Sequence, residues 1–463
     1  MSLPGKRIVQ QTFDDVVKEN IEDLELEPAE AIADAIEQFE AQGIELNNIV
    51  TDLVITEGAT SWYPVVCAMQ SLQTIDIQDT QALYKLVTML RSECDKSLAH
   101  RVLAAQRSTG FETLFNIISK LPLEAIESRR LLLEVFCSFL AGQPDLVTEE
   151  AMEAFLDSCR SDDKDICLYG VRLVRLSCIM HETNRQTFVS KGVVPLLAGV
   201  LRTHKTDEAI VREVCQTFRT LTLDDDPRVP FGKAHDHAKM IVTEAGALEL
   251  LLDVALSHKS DAVLADIFAT LGRLAVRNEF CQKIVDLGGL TLMLDLLTRN
   301  IKHKVIVTNI IGVFKAIAGN DNVKVAITKS DAPAIIVSAI DHHQTSEALC
   351  ANSCACLATI SLRNPENVKR IMECHGHTAV IQCMKLHPNS TQVQKQACMA
   401  IRNLVSRTRE NNEAILGLGA EELINRAMTV PDCKDEAKAA LRDLDCNVEL
   451  TIRWKGERGQ ISQ

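Results

Sequence analysis

The sequence predicts an all-α, right-handed superhelical solenoid of stacked three-helix units, and three observations carry that expectation. The first is a recurring glycine, once an aspartate, just before an apolar stretch: Gly192, Gly246, Gly288, Asp331, Gly376 and Gly419. Their steps are 54, 42, 43, 45 and 43 residues, so a single interval is longer than the rest. The second is a set of amphipathic helical stretches ending at Leu176, Leu221, Leu274, Ile317, Ile360 and Leu404, whose long step falls in the same interval. One insertion therefore explains both series. The third is composition: 46% hydrophobic residues with only 4% aromatics suits a core of Leu, Ile, Val and Ala between thin helical layers. A period of this size marks an architecture in which no unit buries its apolar face without a neighbour.

Each period reads as a long helix, a short loop often bearing Asn (Asn184, Asn278, Asn322, Asn367, Asn411), a short helix, a glycine turn and a further helix. Glycine suits that turn because it reaches positive φ without steric penalty, and aspartate is among the few tolerable substitutes. Residues 1–43 form an acidic helical segment of two helices, with Pro28 fitted to the first turn of the second and Gly43 to its end. Ile8, Phe13, Val16 and Val17 make one apolar stripe and Ile32, Ile36 and Phe39 another, and both need a partner surface. Residues 44–76 read as a mobile connector or N-terminal cap, where Trp62 and Tyr63 anchor locally against the first repeat. Divergent helical repeats follow over 77–160 and regular repeats over 161–432, with a loop insertion near 224–237. A capping helix at 433–450 and a flexible tail at 451–463 complete the reading.

The net charge of −14 is unevenly placed, since residues 1–60 hold 14 acids and 3 bases. Nucleic acid is excluded as a general partner, because a phosphate backbone needs clustered Lys and Arg. The sixteen cysteines, Cys137, Cys178, Cys215, Cys354 and Cys398 among them, lie mostly in helical stretches without zinc spacing and read as reduced core thiols. The opening MSLPGKRIVQQTFDDVV is expected to be neither a secretory signal nor a transit peptide, and no apolar run reaches the roughly 18 residues of a membrane span. A cytosolic protein is expected, with the nucleus second. No phosphate loop, nucleophile elbow or H-E-x-x-H occurs, so neither enzymatic activity nor a cofactor is expected.

The insertion LDDDPRVPFGKAHDHAKM, from Leu223 to Met240, reads as a loop for recognition at one rim, carrying Asp224, Asp225, Asp226, His235 and His237. A metal site there is disfavoured. In an extended segment the two histidines point to one side without a fixed third ligand. His375 and His377 flank Gly376 on an inter-helix turn; their H-x-H pattern resembles the target of protein histidine methyltransferases, which makes them candidate modification sites.

The positions just before each marker leucine or isoleucine are the groove candidates: Arg175, Arg219, Arg273, Lys315, Arg402 and Asn403. Five bases on one face of an acidic protein would favour an acidic protein or peptide segment, since arginine grips carboxylates bidentately. Pairing with neighbouring acids is the competing reading. Residues 1–43 could occupy the groove themselves or cap the first repeat.

These frames resemble armadillo repeats, with IRNL at Ile401–Leu404 nearest that pattern. KRIVQQTFDDVVKENIEDL, AIEQFEAQGIELNNIV and LTLDDDPRVPFGKAHDHAKMIV further resemble the armadillo-repeat-containing protein 6 family. The resemblance covers nearly the whole chain. It implies an armadillo-type solenoid acting as a non-enzymatic intracellular scaffold or adaptor, with a family link to haematopoietic progenitor differentiation. A nucleocytoplasmic transport adaptor binding basic cargo is the alternative. Import adaptors, however, are similar to one another in groove asparagines and tryptophans; here Asn403 alone stands in the asparagine position, and Trp62 and Trp454 lie outside the repeats.

Overall fold

The computed structural model describes residues 7–51 and 63–447, and all regular elements among them are helices. Trp62, Trp454 and the tail at 451–463 lie outside the described residues. The described chain divides into two compact units, residues 1–240 and 241–463.

The first unit opens with α1 (Gln10–Asp23) and α2 (Pro28–Ala41). Phe13 and Val17 of α1 close on Ala31, Ala35 and Phe39 of α2, with the Phe13 and Phe39 rings 6.0 Å apart. The two apolar stripes are thus each other's partner surface. Gln10 ties this hairpin onward: its Oε1 accepts from the Val50 amide at 2.8 Å and its Nε2 donates to the Tyr63 hydroxyl at 3.0 Å. That hydroxyl in turn donates to Asp14 at 2.7 Å, so Tyr63 anchors to α1.

There follow α3 (Pro64–Gln73), α4 (Thr80–Lys96), α5 (Leu98–Ser108), α6 (Gly110–Lys120) and α7 (Ile126–Leu140). Residues 64–73 of what the sequence suggests as a connector or cap are therefore the helix α3. Next come α8 (Glu149–Cys159), α9 (Lys164–Cys178), α10 (Glu182–Ser190), α11 (Val193–Thr203), α12 (Glu208–Leu221) and α13 (Ala234–Thr243). The long helices α4, α7, α9 and α12 pack in succession as one layer. Phe136, Phe139 and Phe155 fill the core between the outer helices and that layer. Each such fully buried side chain contributes about 1.5–3 kcal/mol relative to exposure.

The second unit repeats the pattern in triplets: α14 (Ala247–Ser257) and α15 (Asp261–Leu274); α16 (Asn278–Asp286), α17 (Gly289–Arg299) and α18 (Lys304–Ile317); α19 (Asp321–Lys329), α20 (Ala332–His342) and α21 (Glu347–Ser361). It ends with α22 (Pro365–Glu373), α23 (Gly376–Leu386) and α24 (Thr391–Val405), then α25 (Asn412–Leu416), α26 (Ala420–Ala427) and α27 (Lys434–Asp443). Here α15, α18, α21, α24 and α27 form the inner layer. The marker leucines and isoleucines fall within two residues of the ends of these third helices.

The turn into the middle helix uses left-handed backbone at Gly192, Gly246, Gly288 and Gly419, with φ of 83°, 63°, 80° and 82°. Two copies depart from the expected pattern. Asp331 has φ −76°, and Pro333 at the start of α20 sets the helix direction instead. In the next copy the left-handed residue is His375 (φ 62°), while Gly376 is needed for space: a Cβ there would lie 2.5 Å from Ile371 Cγ2.

Three of the five asparagines expected in loops sit instead in the helical turns that open the short helices, and they stitch one repeat to the previous one. Asn184, Asn367 and Asn411 donate from Nδ2 to the carbonyls of Ser177, Ile360 and Leu404, each seven residues back, at 2.8, 2.8 and 2.9 Å. A third helix leaves its last carbonyls without intrahelical donors, and these side chains supply them.

Candidate binding face

The third helices present one side to solvent in each unit, and the predicted bases lie on it. In the first unit Arg175 is four-fifths buried: its Nε lies 2.5 Å from Glu213 Oε1, and Arg172 Nε reaches Glu213 Oε2 at 3.0 Å. Glu213 belongs to α12, so the two guanidinia clamp adjacent third helices together around a buried carboxylate. Arg219 is half-buried and likewise engaged. In the second unit Lys315 Nζ donates to Asn352 Oδ1 of α21 at 3.1 Å, and Arg402 Nε sits 3.3 Å from Asp443 Oδ2 of α27. Arg273 is exposed and also has a partner. Asn403 donates to the Ala358 carbonyl at 2.8 Å, joining α24 to α21. The ladder is therefore partly a set of cross-repeat ties, its counter-charges 38 to 41 residues onward in sequence.

The insertion is shorter as a loop than the sequence suggests, because residues from 234 onward are helical. His235 and His237 consequently do not share a side: His235 is exposed, whereas His237 is buried with Nδ1 2.9 Å from the Leu221 carbonyl. Among the described residues no group of three His, Cys, Asp or Glu side chains could hold a metal ion.

Two of the three aspartates, Asp225 and Asp226, fold back on the start of α10 rather than outward. Asp225 Oδ1 lies 2.5 Å from Arg185 Nη1, and Asp226 accepts from the Glu182 amide at 2.9 Å and from Arg228 Nε at 2.8 Å. Arg185 is fully buried, pairs with Glu182 at 2.8 Å and donates to the Cys178 carbonyl at 3.0 Å. Glu182 also accepts from the Lys233 amide at 2.6 Å, closing the loop onto the helix. Burial raises the Glu182 pKa, but hydrogen bonds from Gln186, Arg185 and the Lys233 amide outweigh it and leave the carboxyl below its ordinary value. The Arg228 hydrogen bond holds Asp226 well below the usual carboxylate range. Asp224 stands beside Gly232, where a Cβ would meet its Oδ1 at 2.7 Å. This ionic lattice was not visible in the sequence, although Arg185, the key to it, sits one residue after Asn184. What the lattice leaves outside is Phe231, 90% exposed, and Met180, 53% exposed.

His375 and His377 have ring centroids 6.2 Å apart. His377 Nδ1 is buried without a hydrogen-bond partner, and burial, with His375 nearby, lowers its pKa. All sixteen cysteines are free thiols; burial pushes Cys398 and Cys356 up to about 12. No helix among the described residues is long and apolar enough to cross a membrane.

Three-helix repeats with an inner layer of third helices define an armadillo-type α-solenoid, the class of protein-binding scaffolds. Comparison with known proteins agrees. The ARMC6 family model matches residues 67–463, and the Armadillo repeat-containing protein 6 N-terminal domain matches residues 5–64. The chain belongs to the armadillo repeat-containing protein 6 family. It is 40% identical over 479 residues to the Homo sapiens protein of that name, covering 99% of this chain and 94% of the relative. To the Drosophila melanogaster homolog it is 35% identical, covering 78% and 79%. Among solved structures, an engineered protein superposes with a TM-score of 0.67 at 19% identity, covering 95% of each chain. A structure from work on a phosphorylation switch between cadherin and beta-catenin superposes with a TM-score of 0.60 at 14% identity, covering 94% and 81%. At these identities the structures speak for the fold alone.

Proposed function

We propose that this chain is a non-enzymatic scaffold of the cell interior that holds an acidic segment of a partner protein along the third helices of its second unit. The carrying observation is that bases and exposed apolar residues share that surface. Met399 and Arg402 are one helical turn apart on α24 and both exposed; Val305 and Lys315 lie along one stripe of α18, separated by Gly312. A strip that joins aliphatic contact to positive charge suits an acidic, partly apolar segment. Cross-repeat partners such as Asn352 and Asp443 hold the bases in place, which lowers the entropy lost when a carboxylate arrives. On the first unit, the exposed Phe231 and Met180 offer an apolar contact of their own.

The test is affinity purification with the native chain and a variant carrying Arg273→Glu and Arg402→Glu, its fold checked by circular dichroism. The variant is expected to lose the partners that carry acidic segments. An unchanged partner set from a folded variant would remove the third-helix bases from the account. Peptide arrays in which basic peptides win over acidic ones on the second unit's surface would favour the transport-adaptor reading.

A further inference from the structure

The first unit carries a cleft that neither the base ladder nor the insertion uses. It has a volume of about 520 Å³ and is walled by three successive third helices, with Tyr84 from α4, Glu127, Arg130 and Glu134 from α7, and Asp165 and Tyr169 from α9. Its size lies within the range of about 300–1,000 Å³ typical of ligand clefts.

The charges of this cleft are unbalanced toward negative. Three carboxylates and one guanidinium line it. That guanidinium is already engaged: Arg130 grips Asp163 with two bonds, Nε to Oδ1 at 3.0 Å and Nη2 to Oδ2 at 2.5 Å. Glu127 and Asp165 share what remains of it, at 3.1 and 3.4 Å, and their side chains are 86% and 53% exposed. Glu134 is held by Arg91 at 2.8 Å and by the Tyr169 hydroxyl, so it is fixed in place. Arg130 is thus no anion receptor, while two exposed carboxylates flank the opening.

An aromatic face supplies the second half of the recognition. One face of the Tyr169 ring already carries the Arg172 guanidinium, 5.8 Å from its centroid, so the aromatic face open to a ligand is that of Tyr84. Tyr84, across the cleft, is 61% exposed. Carboxylates beside a tyrosine face recognise a cation with an apolar stem, because the stem lies on the ring as the charge meets the acids.

We infer that this cleft is a binding site for the cationic side chain, arginine or lysine, of an extended basic segment in a partner protein. It is separate from the acid-binding surface proposed for the second unit.

The test is fluorescence anisotropy on the full chain with a labelled ten-residue peptide alternating arginine with glycine and serine, alongside lysine, citrulline and glutamate counterparts. The arginine and lysine peptides are expected to bind, more weakly as salt rises, and the citrulline and glutamate peptides to bind at least about five-fold more weakly. The double variant Glu127→Gln, Asp165→Asn should weaken the arginine peptide by roughly five- to ten-fold, and Tyr84→Ala by roughly five-fold while Tyr84→Phe keeps affinity. Both acids are exposed, so the double variant leaves folding intact. The variants Arg273→Glu and Arg402→Glu should leave this binding in place, which separates failure here from failure of the second unit's surface. Equal binding of the citrulline peptide, no binding of the arginine peptide, or undiminished binding to the double variant would each overturn the assignment.

Discussion

Replacing Arg185 with methionine tests whether the insertion is locked by its buried ions. The guanidinium has no solvent exposure and makes three bonds: to Glu182 at 2.8 Å, to Asp225 at 2.5 Å and to the Cys178 carbonyl at 3.0 Å. Methionine restores much of the apolar stem but leaves Glu182, only 1% exposed, as a buried carboxylate without its cation. Breaking a buried pair from one side costs about 3–5 kcal/mol, mostly through the charge left behind. Arg185→Met should therefore lower stability by about that amount. Adding Glu182→Gln should recover about 1–2 kcal/mol, because an amide oxygen still accepts from Gln186 and the Lys233 amide without carrying charge. Urea denaturation followed by circular dichroism reads the midpoint and slope, and limited proteolysis reads opening of residues 227–232. A single variant within about 1 kcal/mol of the native chain, with no recovery in the double variant, would refute the idea that this lattice holds the loop.

Gly170→Ala should destabilise by about 1–3 kcal/mol in thermal melts, because a Cβ would lie 2.6 Å from the Cys159 amide nitrogen and 2.8 Å from the Ser158 carbonyl carbon, forcing α9 from α8. Asn367→Ala should cost about 1–3 kcal/mol by chemical denaturation, since it strips the Ile360 carbonyl of its 2.8 Å donor at a site only 2% exposed. Acid titration of stability has a fixed sign: the Asp163, Glu182 and Asp226 carboxyls are depressed in the folded chain, the first by its Arg130 hydrogen bond. Their contribution is fully present above the unfolded carboxylate pKa of about 4 and is lost as pH falls through the lower folded values. Stability rising on acidification from pH 5 to about 3 would contradict it.

The repeat was legible because periodic glycines and helix-end leucines answer to local geometry, and Gly192, Gly246, Gly288 and Gly419 adopt the backbone their spacing implies. It blurred where another residue met the same need: Pro333 replaces a left-handed turn, and His375 takes the positive φ so that Gly376 can touch Ile371. The binding face was half legible. Alignment of frames locates Arg175 and Arg402, but Glu213 and Asp443, which hold them, depend on how far one helix slides past the next. The cleft of Tyr84, Glu127 and Asp165 was not legible at all, since two of its three helices, α4 and α7, lie where the period is weakest. Asp224, Asp225 and Asp226 look like a rim for partners; buried Arg185 and the Glu182 amide at the start of α10 draw two of them inward instead.

The asparagine stitches set the frame in which such a chain can be cut. Because Asn184, Asn367 and Asn411 each complete the carbonyl end of the helix before their own repeat, the module that recurs in sequence is offset from the module that is self-sufficient. A fragment truncated at the close of a third helix would fray there, whereas one extended through the following short helix keeps its seam. Engineered boundaries, and any gene duplication that lengthened such an array, are best drawn one helix downstream of the motif.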